Sequence, residues 1–352
     1  MESRINRWYH PSVVMDAPGD KQRNYYLDNL KFILMVLVVS THFAMKMTHV
    51  SVINYYFSFV YIFHMPCFIF INGYLAKRMN AGGKLRVDKI LITLWMYAIF
   101  KIGNYALSYL MGQEANFNLF EDRAAPWYLL ALSLWYLMVP LLERIKTCYL
   151  IPGSFVIGLL VGYINSIGDV FSLSRVFVFF PFFIIGFCIS EKQLEDFLDK
   201  KYRVTALIYL VLSFGAIILF WNQVTAVRDI VYGSTAYHVS LDQLYPFGFL
   251  IRGAWYALAL ALSASVMLLV PRCKLFFSVL GERTLQVYMT HIWIRNALVY
   301  AGFFIYIEER PRYVAVIVLL ASVLLTFLLS GRWLKKLFDL CMSPKLFQRV
   351  LK

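Results

Sequence analysis

The chain has 352 residues, of which 61% are hydrophobic and only 15% are charged, and its mean hydropathy is +0.64. Soluble domains have roughly 45–50% apolar and about 25% charged residues, so this composition excludes a soluble protein and predicts a polytopic membrane protein. The five cysteines are scattered and show neither a disulfide framework nor a metal-binding spacing, so we expect no bound metal.

Residues 1–26 form a polar segment, which we interpret as a cytoplasmic tail without a cleavable signal peptide. From 27 to 331 the chain carries ten apolar runs, each about long enough to cross a hydrocarbon core. Their predicted limits are 27–48, 52–76, 89–111, 126–142, 149–167, 171–190, 203–222, 247–270, 278–302 and 312–331. Residues 332–352 alternate large apolar side chains with lysines and arginines, which predicts an amphipathic cytoplasmic tail on the inner leaflet.

The loops between the runs have a strong charge asymmetry. With the N-terminus inside, the inner loops hold most of the loop lysines and arginines, whereas the outer loops hold only Arg123, Arg228, Arg310 and Arg312 beside eight acidic residues. This positive-inside distribution predicts an even number of spans with both termini cytoplasmic. The net charge of +14 therefore reflects topology and anionic lipid rather than nucleic acid. The predicted fold class is an all-α, polytopic membrane helix bundle with about ten transmembrane helices.

The first run contains Lys31 and His42, which are eleven residues apart, and Asp28 near its cytoplasmic end. Eleven residues at 100° each fall about 20° from complete turns, so both side chains share one helix face, about 16 Å apart along the axis. Ionisable groups inside a spanning helix are costly, which makes this pair a candidate functional site. The alternative is that Lys31 reaches to the interface and that His42 bonds a neighbouring helix.

The second run contains His64, Pro66 and Asn72. Pro66 removes a backbone hydrogen bond and bends the helix, which is expected to expose a free carbonyl group near the middle of the membrane. A kinked helix that carries a histidine is a common way to line a cavity; the alternative is a packing kink with His64 hydrogen-bonded inside the bundle. The fourth run begins with Trp127 and Tyr128, which we interpret as an interfacial aromatic anchor.

The ninth run carries Thr284, Tyr288, His291 and Arg295 at offsets of four, seven and eleven, which places them on one helix face. A polar stripe inside a membrane is expected to face water, a ligand or a partner. Arg252 is a further cation in or near a span, and no acidic residue lies near a span centre. An anionic substrate group or lipid headgroup would offset this positive charge; the alternative for Arg252 is that it extends to the outer interface.

Three membrane histidines, His42, His64 and His291, therefore lie beside basic residues. Histidine takes up a hydroxyl proton near neutral pH because its pKa is about 6.5, so the set suits acid–base chemistry on a polar substrate. A zinc site is the weaker interpretation, because the three residues come from different helices without local spacing. A transporter or flippase of a glycan or lipid-linked sugar is the main rival, since proton relays also use membrane histidines.

Several segments resemble acyltransferase family 3, a family of integral membrane enzymes. Residues 26–42 resemble its opening motif, in which a basic residue, usually arginine, is followed by ten residues and a histidine. Residues 63–74 resemble its second-span signature, with Asn72 where serine is common. Further segments resemble family segments in the expected order, namely 126–132, 180–186 and 281–291. The nearest subgroup is the fucose 4-O-acetylase-like proteins.

The resemblance implies an O-acyltransferase that takes an acyl group, commonly from cytoplasmic acetyl-CoA, to a hydroxyl acceptor. It also implies that His42 is catalytic and needs the basic partner at Lys31. We expect His42 to act as general base on the acceptor hydroxyl and Lys31 to bind a donor phosphate or carbonyl oxygen. Candidate residues for binding substrate or donor are Asp28, His64, Asn72, Tyr288, His291, Arg295 and Arg252.

The expected protein is thus a multi-pass acetyltransferase of the bacterial cytoplasmic membrane, with acetyl-CoA as co-substrate and no bound cofactor. The expected acceptor is a cell-surface or lipid-linked glycan. Direct transfer is favoured over a covalent acyl-enzyme because no serine–histidine elbow is visible, and an acyl-histidine relay stays open as an alternative.

Overall fold

The computed structural model describes residues 24–343 except 115–117, 119–124, 166 and 169. The regular elements in these ranges are α-helices and short 3-10 helices, without strands. The helices are α1 (Tyr25–Ala44), α2 (Ser51–Ala76), α3 (Val87–Leu110), α4 (Trp127–Leu142), α5 (Thr147–Leu160), α6 (Leu173–Cys188), α7 (Glu191–Phe197), α8 (Arg203–Leu219), α9 (Trp221–Val227), α10 (Tyr237–Ser240), α11 (Gly248–Leu269), α12 (Thr284–Tyr300), α13 (Phe303–Glu308), α14 (Arg312–Leu329) and α15 (Arg332–Cys341).

Each predicted run contains one main helix of the structure. Within the described ranges, six helical stretches are long and apolar enough to cross a membrane, namely α1, α2, α3, Lys200–Leu219, Asp242–Leu269 and α14. α6 and α7 meet at a bend of 100° and make a seventh if they count as one broken span. α4, α5 and α12 have 16, 14 and 17 residues, fewer than the roughly 20 that span a hydrocarbon core. The all-helical membrane architecture is confirmed, whereas the count of ten spans and the cytoplasmic position of both termini stay predictions.

The predicted tails are only partly described, since residues 1–23 and 344–352 lie outside the described residues. After α14 the chain forms α15, which buries Leu334 and Phe338 and exposes Trp333. α15 covers the first half of the segment predicted to lie as an amphipathic tail on the inner leaflet, and that placement stays a prediction. The long segment before α11 forms α9, α10 and short 3-10 helices.

The start of α1 is hydrogen-bonded to the turn that leads into α12. The Asn29 amide nitrogen donates to the carbonyl groups of Pro271 and Cys273, both at 2.9 Å, and its amide oxygen accepts from Ser278 Oγ at 2.6 Å. Gly281 lies so close to the α1 backbone that a Cβ at this position would overlap it. Because Asn29 is fully buried, these bonds satisfy polar groups that water does not reach. They fix where α12 begins along α1.

Pro66 lies inside α2, which continues unbroken past it. The proline has no N–H for the carbonyl of Ile62, one turn earlier, and Trp255 Nε1 of α11 donates to that carbonyl at 3.3 Å. Ser263 Oγ, also on α11, donates to the next carbonyl, that of Phe63, at 3.3 Å. The carbonyl that the sequence predicted to be free is therefore used to attach α11 to α2.

α2 and α6 approach each other through two glycines. Gly73 of α2 lies against the backbone carbonyl of Phe183, and Gly186 of α6 lies against that of Phe70. A Cβ at either position would overlap backbone atoms of the facing helix. Small residues allow close backbone approach, which is the main source of van der Waals contact between helices in a membrane. This contact holds α2, the helix that carries His64 and Asn72, against α6.

We predict that Gly186→Ala lowers the melting temperature of the purified protein in detergent. The new Cβ would meet backbone atoms of α2, and overpacking of this kind costs about 1–3 kcal/mol. Gly215→Ala is the matched control, since nothing lies within 4 Å of a Cβ built at Gly215. Fluorescence-detected thermal unfolding of both variants provides the measurement, and equal melting temperatures would contradict the close packing of α2 on α6.

Candidate active site

The centre of the site is a direct contact between two histidines on neighbouring helices. His42 Nδ1 of α1 lies 2.7 Å from His291 Nε2 of α12, and the two rings are nearly parallel, at 10°. His291 Nδ1 lies 2.7 Å from the backbone carbonyl oxygen of Val287, one turn earlier on α12. His291 is fully buried, whereas His42 is partly exposed.

The Val287 carbonyl determines which nitrogen of each imidazole ring carries a proton. A carbonyl oxygen only accepts, so His291 Nδ1 carries the proton and donates it to Val287. In a neutral imidazole the other nitrogen is then an acceptor, so His291 Nε2 accepts from His42 Nδ1–H. His42 Nε2 is left with an unprotonated lone pair. The arrangement therefore holds His42 in the tautomer and orientation that a general base needs.

His64 has a different environment from His42. Its Nδ1 donates to the carbonyl of Val60 within α2 at 2.8 Å, and its side chain is almost fully buried. The edge of the Tyr61 ring packs against it, with ring centroids 4.9 Å apart. Both of these contacts of His64 are thus to its own helix and not to His42. Among the described residues, no group of histidine, cysteine, aspartate and glutamate side chains is arranged to hold a metal ion.

A cavity of about 160 Å³ lies along the α1 face that joins Lys31 to His42. Met35 and Val38 line it, and they follow Lys31 at offsets of four and seven on that face. The complete lining set is Met35, Val38, Met65, Phe68, Asn72, Ile92, Thr93, Met96, Tyr128, Leu129, Leu132, Thr284, Leu285 and Tyr288. α1, α2 and α12 are therefore not packed solidly against one another over this length.

The polar part of the cavity wall is a hydrogen-bonded cluster. Asn72 Nδ2 donates to the Phe68 carbonyl at 2.9 Å and to the Tyr128 hydroxyl. The Tyr288 hydroxyl donates to the Ala125 carbonyl, and the two tyrosine rings meet edge to face at 5.7 Å between centroids. Tyr128 is 6% exposed and lies in the cavity wall, so its interpretation as an interfacial anchor is wrong. Its position as the second residue of a short helix does not by itself indicate that the side chain lines a cavity.

Lys31 is neutralised within its own helix. Its Nζ lies 2.9 Å from Asp28 Oδ1, and the side chains are 21% and 10% exposed. The two candidate residues therefore form one ion pair near the start of α1, at the opposite end of the shared face from His42. A paired lysine offers a donor group less net charge than an isolated cation would.

Arg252 does not meet the other candidate residues. It is fully buried on α11, with its guanidinium carbon 4.4 Å from the centroid of the Tyr237 ring. Its Nη1 donates to the carbonyl of Gly158 at 3.2 Å. Gly162 and Gly248 lie directly against the same tyrosine ring. Arg252 therefore stacks on one tyrosine ring where α5, α10 and α11 meet, and it neither lines the cavity nor extends to solvent.

Comparisons with known proteins identify the family of the chain. A family model described as an acyltransferase domain, that of acyltransferase family 3, matches residues 24–331. Nodulation protein NolL of Sinorhizobium fredii (strain NBRC 101917 / NGR234) is 25% identical over 204 residues, which are 53% of this chain and 54% of that protein. The chain thus spans about half the length of this curated relative. No solved structure is significantly similar to the chain.

We predict that His291→Gln retains much more activity than His291→Leu. The glutamine side-chain oxygen accepts from His42 Nδ1–H as the imidazole does, whereas leucine leaves that donor without an acceptor. Loss of the correct tautomer is expected to reduce turnover by about 10²-fold in the leucine variant, because it removes the base from its productive form.

The ¹⁵N chemical shifts of His42 provide a readout that is independent of turnover. We expect the Nδ1-protonated form in the wild type and in His291→Gln, and a mixture of tautomers in His291→Leu. Equal tautomer populations in all three proteins would contradict the role of His291 as a positioning residue.

Proposed function

The chain belongs to acyltransferase family 3, and on that premise we propose that it transfers an acetyl group from acetyl-CoA to a hydroxyl of a cell-surface or lipid-linked glycan. The proposed location is the bacterial cytoplasmic membrane, with acetyl-CoA as co-substrate and no bound cofactor. The observation that carries this proposal is the orientation of His42, whose Nε2 is left unprotonated by the contact with His291.

His42 is the proposed general base. Its Nε2 takes the proton from the acceptor hydroxyl while the hydroxyl oxygen attacks the thioester carbonyl carbon. The carbon–sulfur bond then breaks, and the departing CoA sulfur takes up the proton held by His42. His42 Nδ1–H stays bonded to His291 throughout, so the ring does not turn while its charge changes. The acetyl group ends on the acceptor oxygen, and the enzyme returns to its starting state.

The cavity supports the proposed binding of the acyl donor. Its wall is mainly apolar, which suits an acyl group and the narrow pantetheine chain of acetyl-CoA. Thr93 and Thr284 add hydroxyl groups to the wall. The Asp28–Lys31 pair lies beyond the end of the cavity lining on the same face of α1 and is the proposed contact for polar parts of the donor.

Tyr128 is the proposed hydrogen-bond donor to the oxyanion that forms on the thioester carbonyl. Its hydroxyl oxygen accepts from Asn72, so its own proton is available to a group in the cavity. The neighbouring Tyr288 differs, because its proton is bonded to the Ala125 carbonyl. A donor that is already oriented stabilises developing negative charge without reorganisation.

We predict that His42→Ala abolishes most acyl transfer while the protein still folds and binds acetyl-CoA. Removal of a general base reduces turnover by about 10²–10⁴-fold. The assay uses purified enzyme, radiolabelled acetyl-CoA and the total glycolipid extract of the source cell, and it measures label in the glycolipid fraction. His49→Ala is the control, since His49 is exposed and lies outside the helices.

Activity of His42→Ala within a few-fold of wild type would remove His42 from the chemistry. Movement of glycolipid across the membrane of proteoliposomes by the wild-type protein, without consumption of acetyl-CoA, would instead identify the protein as a transporter.

We also predict that Tyr128→Phe lowers kcat by about 10²-fold, as loss of one oxyanion donor does in other acyl-transfer enzymes, with little change in KM. Tyr149→Phe serves as the control because Tyr149 is 70% exposed. A proportional rise in KM with unchanged kcat would instead assign Tyr128 to ground-state binding.

A further inference from the structure

The contacts between α1 and α12 set a parallel register for the two helices. Asn29, near the start of α1, is hydrogen-bonded to Ser278 in the turn before α12. Thirteen residues further along each segment, His42 contacts His291. Lys46, in the turn after α1, and Arg295, on α12, each follow the histidine of their own segment by four residues. Lys46 lies within electrostatic range of Arg295, just after the end of α1. The histidine pair is thus followed by a pair of cations.

Arg295 is oriented by neutral amides. Its Nη2 and Nε donate to Asn296 Oδ1 at 2.5 and 3.2 Å. Asn296 Nδ2 in turn donates to Asn104 Oδ1 of α3 at 3.3 Å. These bonds hold the guanidinium in place without cancelling its charge, because an amide oxygen carries no net charge. The remaining N–H groups of Arg295 stay available to another acceptor.

Neither cation has a carboxylate partner within the part of the chain that the structure describes. This distinguishes the pair from Lys31, which Asp28 neutralises at the other end of the same helix face. Two like charges held close together raise the energy of the unliganded protein, and a bound anion removes that cost. Arginine in particular matches the geometry of phosphate and carboxylate groups.

We propose that Lys46 and Arg295 bind an anionic group, a phosphate or a carboxylate, on the acceptor. This inference rests on the proposed function and specifies its substrate class. Along α12, Arg295 lies one helical turn, about 5.4 Å, beyond His291, the residue that contacts His42. An acceptor sugar that carries its negative charge on the same or the adjoining residue therefore presents a hydroxyl to His42 when its anionic group is seated.

Ligand-induced thermal stabilisation of the full-length protein in a neutral detergent tests the proposal. The probe is glucose 6-phosphate, compared with glucose at equal concentration and with sodium chloride added to equal ionic strength. We expect the melting temperature to rise with glucose 6-phosphate in a saturable manner and to stay unchanged with glucose. A rise of the same size with glucose, or with sodium chloride alone, would overturn the proposal.

Two variants locate the binding site. Arg295→Gln keeps a hydrogen-bonding side chain but removes the charge. We expect it to raise the half-saturating concentration of glucose 6-phosphate by about tenfold or more. Lys46→Gln changes an exposed side chain and tests the same site if the first variant does not fold. Arg310→Gln is the matched control, since Arg310 is exposed and contacts Tyr306. Unchanged binding in Lys46→Gln and in Arg295→Gln would overturn the assignment.

Two further arms separate the source of the anion and the underlying chemistry. In nanodiscs of phosphatidylglycerol, loss of the stabilisation that is present in phosphatidylcholine nanodiscs would assign the pair to a lipid headgroup instead of the acceptor. His42→Ala is expected to keep the stabilisation by glucose 6-phosphate while it loses acyl transfer. Anion binding without any acyl transfer by the wild type would contradict the proposed function alone, whereas acyl transfer without anion binding would contradict this inference alone.

Discussion

The site depends on one chain of hydrogen bonds, from His42 through His291 to the backbone carbonyl of Val287. The Val287 carbonyl at the end of this series can only accept a hydrogen bond, and so the series determines which nitrogen of each imidazole ring carries a proton. It forms only if α1 and α12 keep their register, because one residue of slip turns a helical side chain by 100°. The buried bonds of Asn29 to the turn before α12 supply that register.

Two kinds of polar residue inside the bundle differ in the role that their partners leave them. Side chains of the first kind donate hydrogen bonds to backbone carbonyls that would otherwise have no partner, because a proline or the end of a helix removes the usual N–H donor. Trp255 bonds the carbonyl freed by Pro66, and Arg283 and Gln286 bond carbonyls at the end of α14. In an apolar environment an unpaired carbonyl is costly, so these side chains stabilise the fold. Residues of the second kind, above all His42, keep a free lone pair or an uncompensated charge, and these are the candidates for function.

Charge is distributed unevenly along the α1 face that the site uses. Near the start of α1 the ion pair of Lys31 with Asp28 leaves no net charge. Beyond the end of α1, Lys46 lies within electrostatic range of Arg295, and neither has a carboxylate partner among the residues that the structure describes. On α1 the cavity is lined by Met35 and Val38, which lie between Lys31 and His42 along the helix. This order supports the proposal that an acyl donor and an anionic acceptor approach the histidine pair from opposite ends.

The amino-acid sequence determined the all-helical membrane architecture, the family and the shared face of Lys31 and His42, because hydropathy and helical periodicity are local properties of a chain. The placement of His291 beside His42 required the packing of α1 against α12, which unites residues 249 positions apart. Tertiary structure also placed Tyr128 in the cavity wall, stacked Arg252 on Tyr237 and paired Lys31 with Asp28. A single sequence cannot decide such outcomes, since a polar residue in a span finds its partner only when the helices pack, and that partner determines whether the residue stabilises the fold or remains free to act.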